Sequence, residues 1–448
     1  MSYLADAVAA VPHHVLRNEA VVELDNLGIP PLAGIATYEE ASRPGLGVDE
    51  AVTRLRRLEY FFRRLHLISA VALPTVPEWE AKCGLGLHSW LDAEACGAVR
   101  TRINELRHPS LRFHDSPDER LTTLFDELGQ FNSTVELLAG LDVVRTNLVA
   151  AIDDYIALTN PIADFPSVHL LRRLRGEQAG LVEWTRAALA GLSQHYGEPV
   201  EPWAAHMRAV LEDRDTELRC AAEPRERDVT PRRDARFQDA FNTSAKIDTY
   251  FADESRPADE RAFALAYKRL REMDVPEWMG PILSSAAERP WEYHTDLSRQ
   301  LWDETRHAMM GEIVLNSHGV PHFAFPVPMN GVEALNLEFE PREAHLLLWD
   351  IEQSLMPSDT GKRFEYEVVR EHGDPLISTF QDYDWADEVV HVKIGRRWIV
   401  SEYGEMAKAR EAAAAAWDRW EEVMTELEAR SDQREWWPAF VEAMRAGR

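Results

Sequence analysis

Two short segments carry the same potential chemistry, Asp303-Glu304-Thr305-Arg306-His307 and Asp387-Glu388-Val389-Val390-His391. Each sets a glutamate three residues before a histidine. On an α-helix that spacing brings the carboxylate and the imidazole to one face, a turn apart. Two such helices facing each other offer two carboxylates and two imidazoles to a shared pair of metal ions. Donors of this mixed oxygen–nitrogen kind suit iron or manganese.

The bare spacing is weak evidence on its own. With 16 histidines and several dozen glutamates in 448 residues, a Glu three residues before a His is expected about once or twice by chance. A third instance, Glu105-Leu106-Arg107-His108, stands just before Pro109 with no matching partner and reads as the chance one. The other two share more context. Both have Asp before Glu and a tryptophan just upstream, Trp302 and Trp385, and both sit among apolar neighbours such as Leu301, Met309, Val392 and Ile394. Burying Glu and His together inside a helix is costly without compensation, and a cation is one form of compensation. Structural Glu–His hydrogen bonds are the plainer alternative.

A bundle site of this type needs one carboxylate from each of two further helices. Between the motifs, Glu352 is the best placed, with Leu348, Trp349, Leu355 and Met356 as its helical neighbours. Glu343 lies nearer a helix start, where the helix dipole alone accounts for a carboxylate. Upstream of the first motif stand Glu277 and Glu272. Glu272 lies at a comfortable hairpin distance, but Lys268 and Arg269 beside it suggest a solvated face. Glu277 follows Pro276, where ordinary helix-start chemistry also favours an acid. The balance falls narrowly on Glu277, with Glu272 open. Four carboxylates would balance two divalent ions. Asp303 and Asp387 point away from their own motif's face, so each is better placed to orient the histidine of another helix, with Asp384 a further candidate.

Helical periodicity dominates the chain. Residues 48–72 repeat apolar positions at helical spacing, and further helices are expected at 87–107, 118–131, 133–158, 167–195 and 201–219. From 223 to 257 the sequence is charged and proline-bearing, as a linker or surface excursion would be. The second half resumes with helices at about 258–274, 276–287 and 291–317, a Pro-rich loop at 318–336, then helices near 340–356, 362–372, 375–400 and 404–430. The expected fold is all-α, in two helical bundles: an N-terminal domain over 1–222 and a metal-binding domain over 258–448. Glu59, Glu94, Glu136 and Glu177 fall on successive helices of the first half, but none has a histidine three residues on. That half is open to reading as a degenerate copy of the second.

Bulk properties narrow the function. A net charge of −28 argues against a nucleic-acid partner, which needs a basic footprint. No apolar run is long enough to span a membrane, no secretory leader is evident, and Cys83, Cys96 and Cys220 fit neither a disulfide framework nor a zinc spacing. A cytoplasmic protein is the expectation.

The order glutamate, Glu-x-x-His, glutamate, Glu-x-x-His resembles that of the ferritin-like di-iron carboxylate proteins. The phrasing of Gln300–Ala308 and Asp387–Gly395 is similar to the corresponding helices of uncharacterised bacterial ferritin-like proteins, over residues 270–400. The resemblance implies a four-helix bundle for the C-terminal domain and a ligand set of Glu277 or Glu272, Glu304, His307, Glu352, Glu388 and His391. It further implies two iron ions, or manganese, O2 as co-substrate, and oxidase or oxygenase action on a small molecule. An external electron donor and a homodimer are compatible with it. The loop 318–336, rich in Pro and flanked by Phe323 and Phe325, is a candidate substrate lid by its own composition. The competing function is a non-catalytic helical binding or scaffold protein with a vestigial metal site.

Overall fold

The computed structural model describes residues 27–107, 113, 115–220, 228–243 and 247–447. Their architecture is all-α, as the periodicity predicts. The chain divides into two compact units. One runs to Arg64 and again from Glu94 to Arg225; the other takes Leu65–Ala93 and everything from Glu226 onward. The boundary near 225 lies close to the one expected from composition, but residues 65–93 group with the second unit rather than the first.

The helices before the boundary are α1 (Tyr38–Ala41), α2 (Val48–Ala72), α3 (Trp79–Glu105), α4 (Glu119–Leu128), α5 (Thr134–Leu158), α6 (Phe165–Tyr196) and α7 (Glu201–Leu211). In the first unit α5 packs along α6 and against α7, burying Leu137, Leu141, Leu148, Ile152, Leu171 and Leu174. Ser133 caps α5 through Glu136 N–H. The helix expected over 201–219 stops at Leu211; the segment beyond carries charge without an apolar face to bury.

In the second unit follow α8 (Ala258–Arg271), α9 (Asp274–Ser285), α10 (Trp291–Ser317), α11 (Asn330–Leu337), α12 (Pro341–Ser354), α13 (Lys362–His372), α14 (Pro375–Tyr403), α15 (Met406–Arg430) and α16 (Trp437–Ala446). Two-residue strands β1 (Phe241–Asn242) and β2 (Gln433–Arg434) pair in parallel, Phe241 opposite Gln433. The linker expected over 223–257 is thus partly structural, since 241–242 join this pairing and Ile247, Tyr250 and Phe251 enter the core. The Pro-rich loop keeps its irregular path to 329 but ends in α11, and Phe325 packs on Trp436 and Phe440.

The helices that matter for chemistry pack as neighbours: α8 on α10, α10 on α14, α14 on α12, with α13 against α8 and α14. Their ends are fixed locally. Asp374 accepts hydrogen bonds from Leu376 and Ile377 N–H at the start of α14, and Glu340 and Glu343 form a reciprocal cap on α12. Two glycines allow backbones to close up. A Cβ on Gly311 of α10 would lie 2.3 Å from the Leu270 amide nitrogen of α8, and one on Gly395 of α14 would lie 2.7 Å from the Trp349 ring of α12. The backbones of α8 and α10, and of α12 and α14, are therefore closely apposed.

Candidate metal centre

Glu304 and His307 project from α10, Glu388 and His391 from α14, Glu352 from α12, and Glu272 from the residue that caps α8. All but Glu272 are buried, and Glu272 is half-buried. The motifs lie deep in helices of 27 and 29 residues, whose inward faces also carry Leu297, Leu301, Ile394 and Trp398. That setting surrounds the two motifs with hydrocarbon.

Two groups of donors form. Glu304, Glu352, Glu388 and His391 make one; Glu272, His307, Asp384 and Glu388 make the other, and within each group the donor atoms lie within 4.8 Å of one another. Glu388 belongs to both. Glu304 also reaches both imidazoles, with Oε1 3.1 Å from His391 Nδ1 and Oε2 3.5 Å from His307 Nδ1. Glu388 thus faces both groups, and Glu304 lies beside both histidines.

The imidazoles are oriented reciprocally. His391 Nε2 lies 3.4 Å from Asp303 Oδ2, and His307 Nε2 lies 3.3 Å from Asp387 Oδ2. Each histidine thereby turns its Nδ1 toward the carboxylates. Arg306 bridges Asp303 and Asp387, and Arg299 pairs with Asp303. The cross-helix service expected of the two aspartates is the arrangement the structure has.

Charge is the next constraint. Burial pushes the Glu352 carboxyl well above its ordinary range, with the negative charges of Glu388 and Glu304 adding to it. Burial likewise raises Glu272 to about 7, against the pull of Arg269 and Lys362. Burial alone would lower His307, but Asp384, Asp387 and Glu304 outweigh it and raise the ring to about 10. His391 is raised well above its usual value against burial, by Asp303, Glu304 and Glu388. Carboxyls that retain protons beside imidazoles that gain them mark a pocket with surplus negative charge.

The donor atoms themselves test the fit of a metal. Glu272 Oε2, Glu352 Oε2, Glu388 Oε2, His307 Nδ1 and His391 Nδ1 are buried and make no hydrogen bond. Leaving a buried polar atom unsatisfied costs about 1–3 kcal/mol, and native structures keep few of them. Five such atoms converging on one place fit one or two cations with oxygen and nitrogen preference.

Glu277, narrowly preferred on sequence, lies elsewhere. Its Oε1 is 2.7 Å from Lys82 Nζ and is also paired with Arg233, whose other nitrogen is 3.0 Å from Asp274. It belongs to a buried ion-pair cluster and to neither donor group, and Glu272 takes the position beside His307. The acid at the start of α9 neutralises two buried cations that sequence spacing could not reveal. Glu343 is partly exposed and pairs with Arg419.

The first-half glutamates do not converge. Glu59 pairs with Arg100, Glu136 with Arg219 and Glu177 with Arg173, while Glu94 is exposed. Both donor groups found among the described residues lie in the second unit. In the chance motif Glu105 closes α3 and pairs with Arg102, and His108 lies outside the described residues. Of the aromatic residues near the motifs, Trp302 stacks on Trp90, the Tyr293 hydroxyl hydrogen-bonds with His345 Nδ1 at 3.1 Å, Trp385 packs near Tyr366, and Tyr383 is exposed.

Sequence reasoning missed the cations inside the site. Lys362, at the start of α13, is fully buried with Nζ 2.7 Å from Glu388 Oε1 and 3.0 Å from Asp384 Oδ1. Arg269 pairs with Asp384 and, at 2.8 Å, with Glu272. The Lys-Arg pair 362–363 reads as an ordinary polar helix start, and only packing shows which way Lys362 turns. Among the described residues no helix is long and apolar enough to cross a membrane. Comparisons with protein-family models, with curated proteins and with solved structures find no match to this chain.

Proposed function

We propose that this protein is a metal-dependent oxidoreductase of the ferritin-like di-iron type, which uses O2 to oxidise a small molecule. The observation that carries the reading is the convergence of His307 Nδ1 and His391 Nδ1, each held from behind by an aspartate of the opposite motif, on carboxylate oxygens without hydrogen bonds. Glu304, Glu352, Glu388 and His391 would hold one ion, and Glu272, His307, Asp384 and Glu388 a second. Iron or manganese bound there would supply the redox chemistry that carboxylates and imidazoles lack.

The chain's own residues do the rest. Asp303 and Asp387 fix the tautomer and direction of the two rings by accepting from Nε2–H. Gln300 donates to Glu352 Oε1 at 2.9 Å and holds that carboxylate in place, leaving Oε2 to face the centre. The apolar residues Leu297, Leu301 and Ile394 keep bulk water out, which strengthens each electrostatic contact inside.

A second reading, a non-catalytic helical protein whose core holds a structural ion-pair network, is favoured by Lys362 and Arg269, since both place positive charge among the same carboxylates. Elemental analysis separates the two. Protein purified from medium supplemented with iron and manganese should carry metal, lose it on Glu304→Ala or His391→Ala, and consume O2 after reduction. Metal-free protein with an intact fold would establish the second reading.

A further inference from the structure

The two donor groups are not equivalent, and Lys362 makes the difference. Its ammonium contacts Glu388 Oε1 at 2.7 Å, both oxygens of Asp384 at 3.0 and 3.1 Å, and Glu272 Oε1 at 3.6 Å. Three of the four members of the Glu272–His307–Asp384–Glu388 group thus already face a cation. In the other group only the shared Glu388 does. Glu304, Glu352 and His391 have no lysine or arginine ion pair among the described residues.

Nothing about local helix chemistry asks for this lysine. It is the first residue of α13, where the helix dipole disfavours a positive charge. A wholly buried ammonium is costly unless carboxylates surround it. The turn before it is tightly set: the Lys362 amide donates to Leu355 O at 2.9 Å, and a Cβ on Gly361 would lie 2.1 Å from that same oxygen. The backbone therefore delivers the side chain into the centre.

Resting on the metal-centre reading above, we propose that Lys362 is a built-in cation that makes loading of the centre sequential. The first ion enters the Glu304–Glu352–Glu388–His391 group, and a second enters beside His307 only by displacing the Lys362 ammonium. The charges agree with this order. Arg269 answers Asp384, so four glutamates stand against Lys362; one divalent ion brings the set within one charge of neutrality, and exchange of the ammonium for a second divalent ion makes it neutral.

Titration of the full-length protein with Mn(II), followed by calorimetry and by the spin-coupled EPR signal of adjacent Mn(II) ions, tests the proposal. Wild-type protein is expected to bind one ion tightly and a second at least about ten-fold more weakly, a span typical of groups that tune metal ligands. Lys362→Met should raise the second affinity by about ten-fold or more and bring the coupled EPR signal to lower Mn(II) concentration, while Lys362→Arg keeps the wild-type order. Glu272→Gln should remove only the second event and Glu352→Gln the first. Two equal sites in the wild-type protein, or a second affinity unmoved in Lys362→Met, would overturn the role of Lys362 while leaving the metal centre standing. If the neutral variant fails to fold, the wild-type ratio still decides. Absence of any Mn(II) or Fe(II) binding by wild-type protein would instead remove the metal-centre reading itself.

Discussion

Asp303 belongs to the first motif, yet its Oδ2 lies 3.4 Å from Nε2 of His391, in the second. Asp387 does the same for His307 at 3.3 Å. Neighbours in sequence point to different sides of a helix, so each Asp-Glu pair divides its work: the glutamate faces the centre beside its own histidine, and the aspartate supports the histidine across the interface. Asp303→Asn should keep the fold and weaken metal binding by about 10–100-fold, because ring orientation and basicity both depend on that acceptor. Metal titration monitored alongside circular dichroism checks it; unchanged affinity would reduce Asp303 to a partner for Arg299 and Arg306.

Glu277 offers the contrasting case. Glu277→Gln leaves Lys82 and Arg233 buried with less compensation, Asp274 remaining as the close ion-pair partner of Arg233. Breaking a buried pair in this way costs about 3–5 kcal/mol. The expected result is a clear drop in thermal midpoint with metal content unchanged. Loss of metal at an unchanged midpoint would return Glu277 to the ligand set.

Gly311 sets the approach of α10 to α8. A valine there places atoms on the Leu270 backbone, and overpacking of that kind costs about 1–3 kcal/mol or more. Because Glu272 follows directly on α8, Gly311→Val should lower stability and metal uptake together. Elemental analysis of the folded fraction distinguishes this from simple destabilisation, which would leave each folded molecule fully loaded.

Acid should weaken the second unit through two histidines outside the centre. Burial, with the nearby His294, lowers His66 to about 3, and burial, with Arg289, lowers His345 to about 3. In the unfolded chain both titrate near 6.5, so the unfolded state binds more protons between those values. Their contribution is fully present above about pH 6.5 and is lost as pH falls toward 3, at up to roughly 5 kcal/mol for each ring by the linkage relation. His345→Phe, which cannot be protonated, should shift the acid unfolding midpoint downward in a circular dichroism titration. An unmoved midpoint would show that His345 is protonated without penalty in the fold.

The sequence alone determined the helical class, the placement of both motifs on long helices and the apolar flank of Glu352, because each rests on local periodicity, capping residues or i,i+3 geometry. It also pointed each aspartate toward a histidine of another helix, since adjacent helical residues cannot face the same way, and the packing chose the opposite motif. Tertiary structure alone decided what depends on side chains distant in the chain. It placed Glu272 rather than Glu277 beside His307, since Lys82 and Arg233 claim Glu277 from segments some 195 and 44 residues away. It turned Lys362 inward, drew residues 65–93 into the second unit, and left the first-half glutamates in separate ion pairs. Charge pairing in a buried space is a property of the packed ensemble of helices, and no spacing within one helix encodes it.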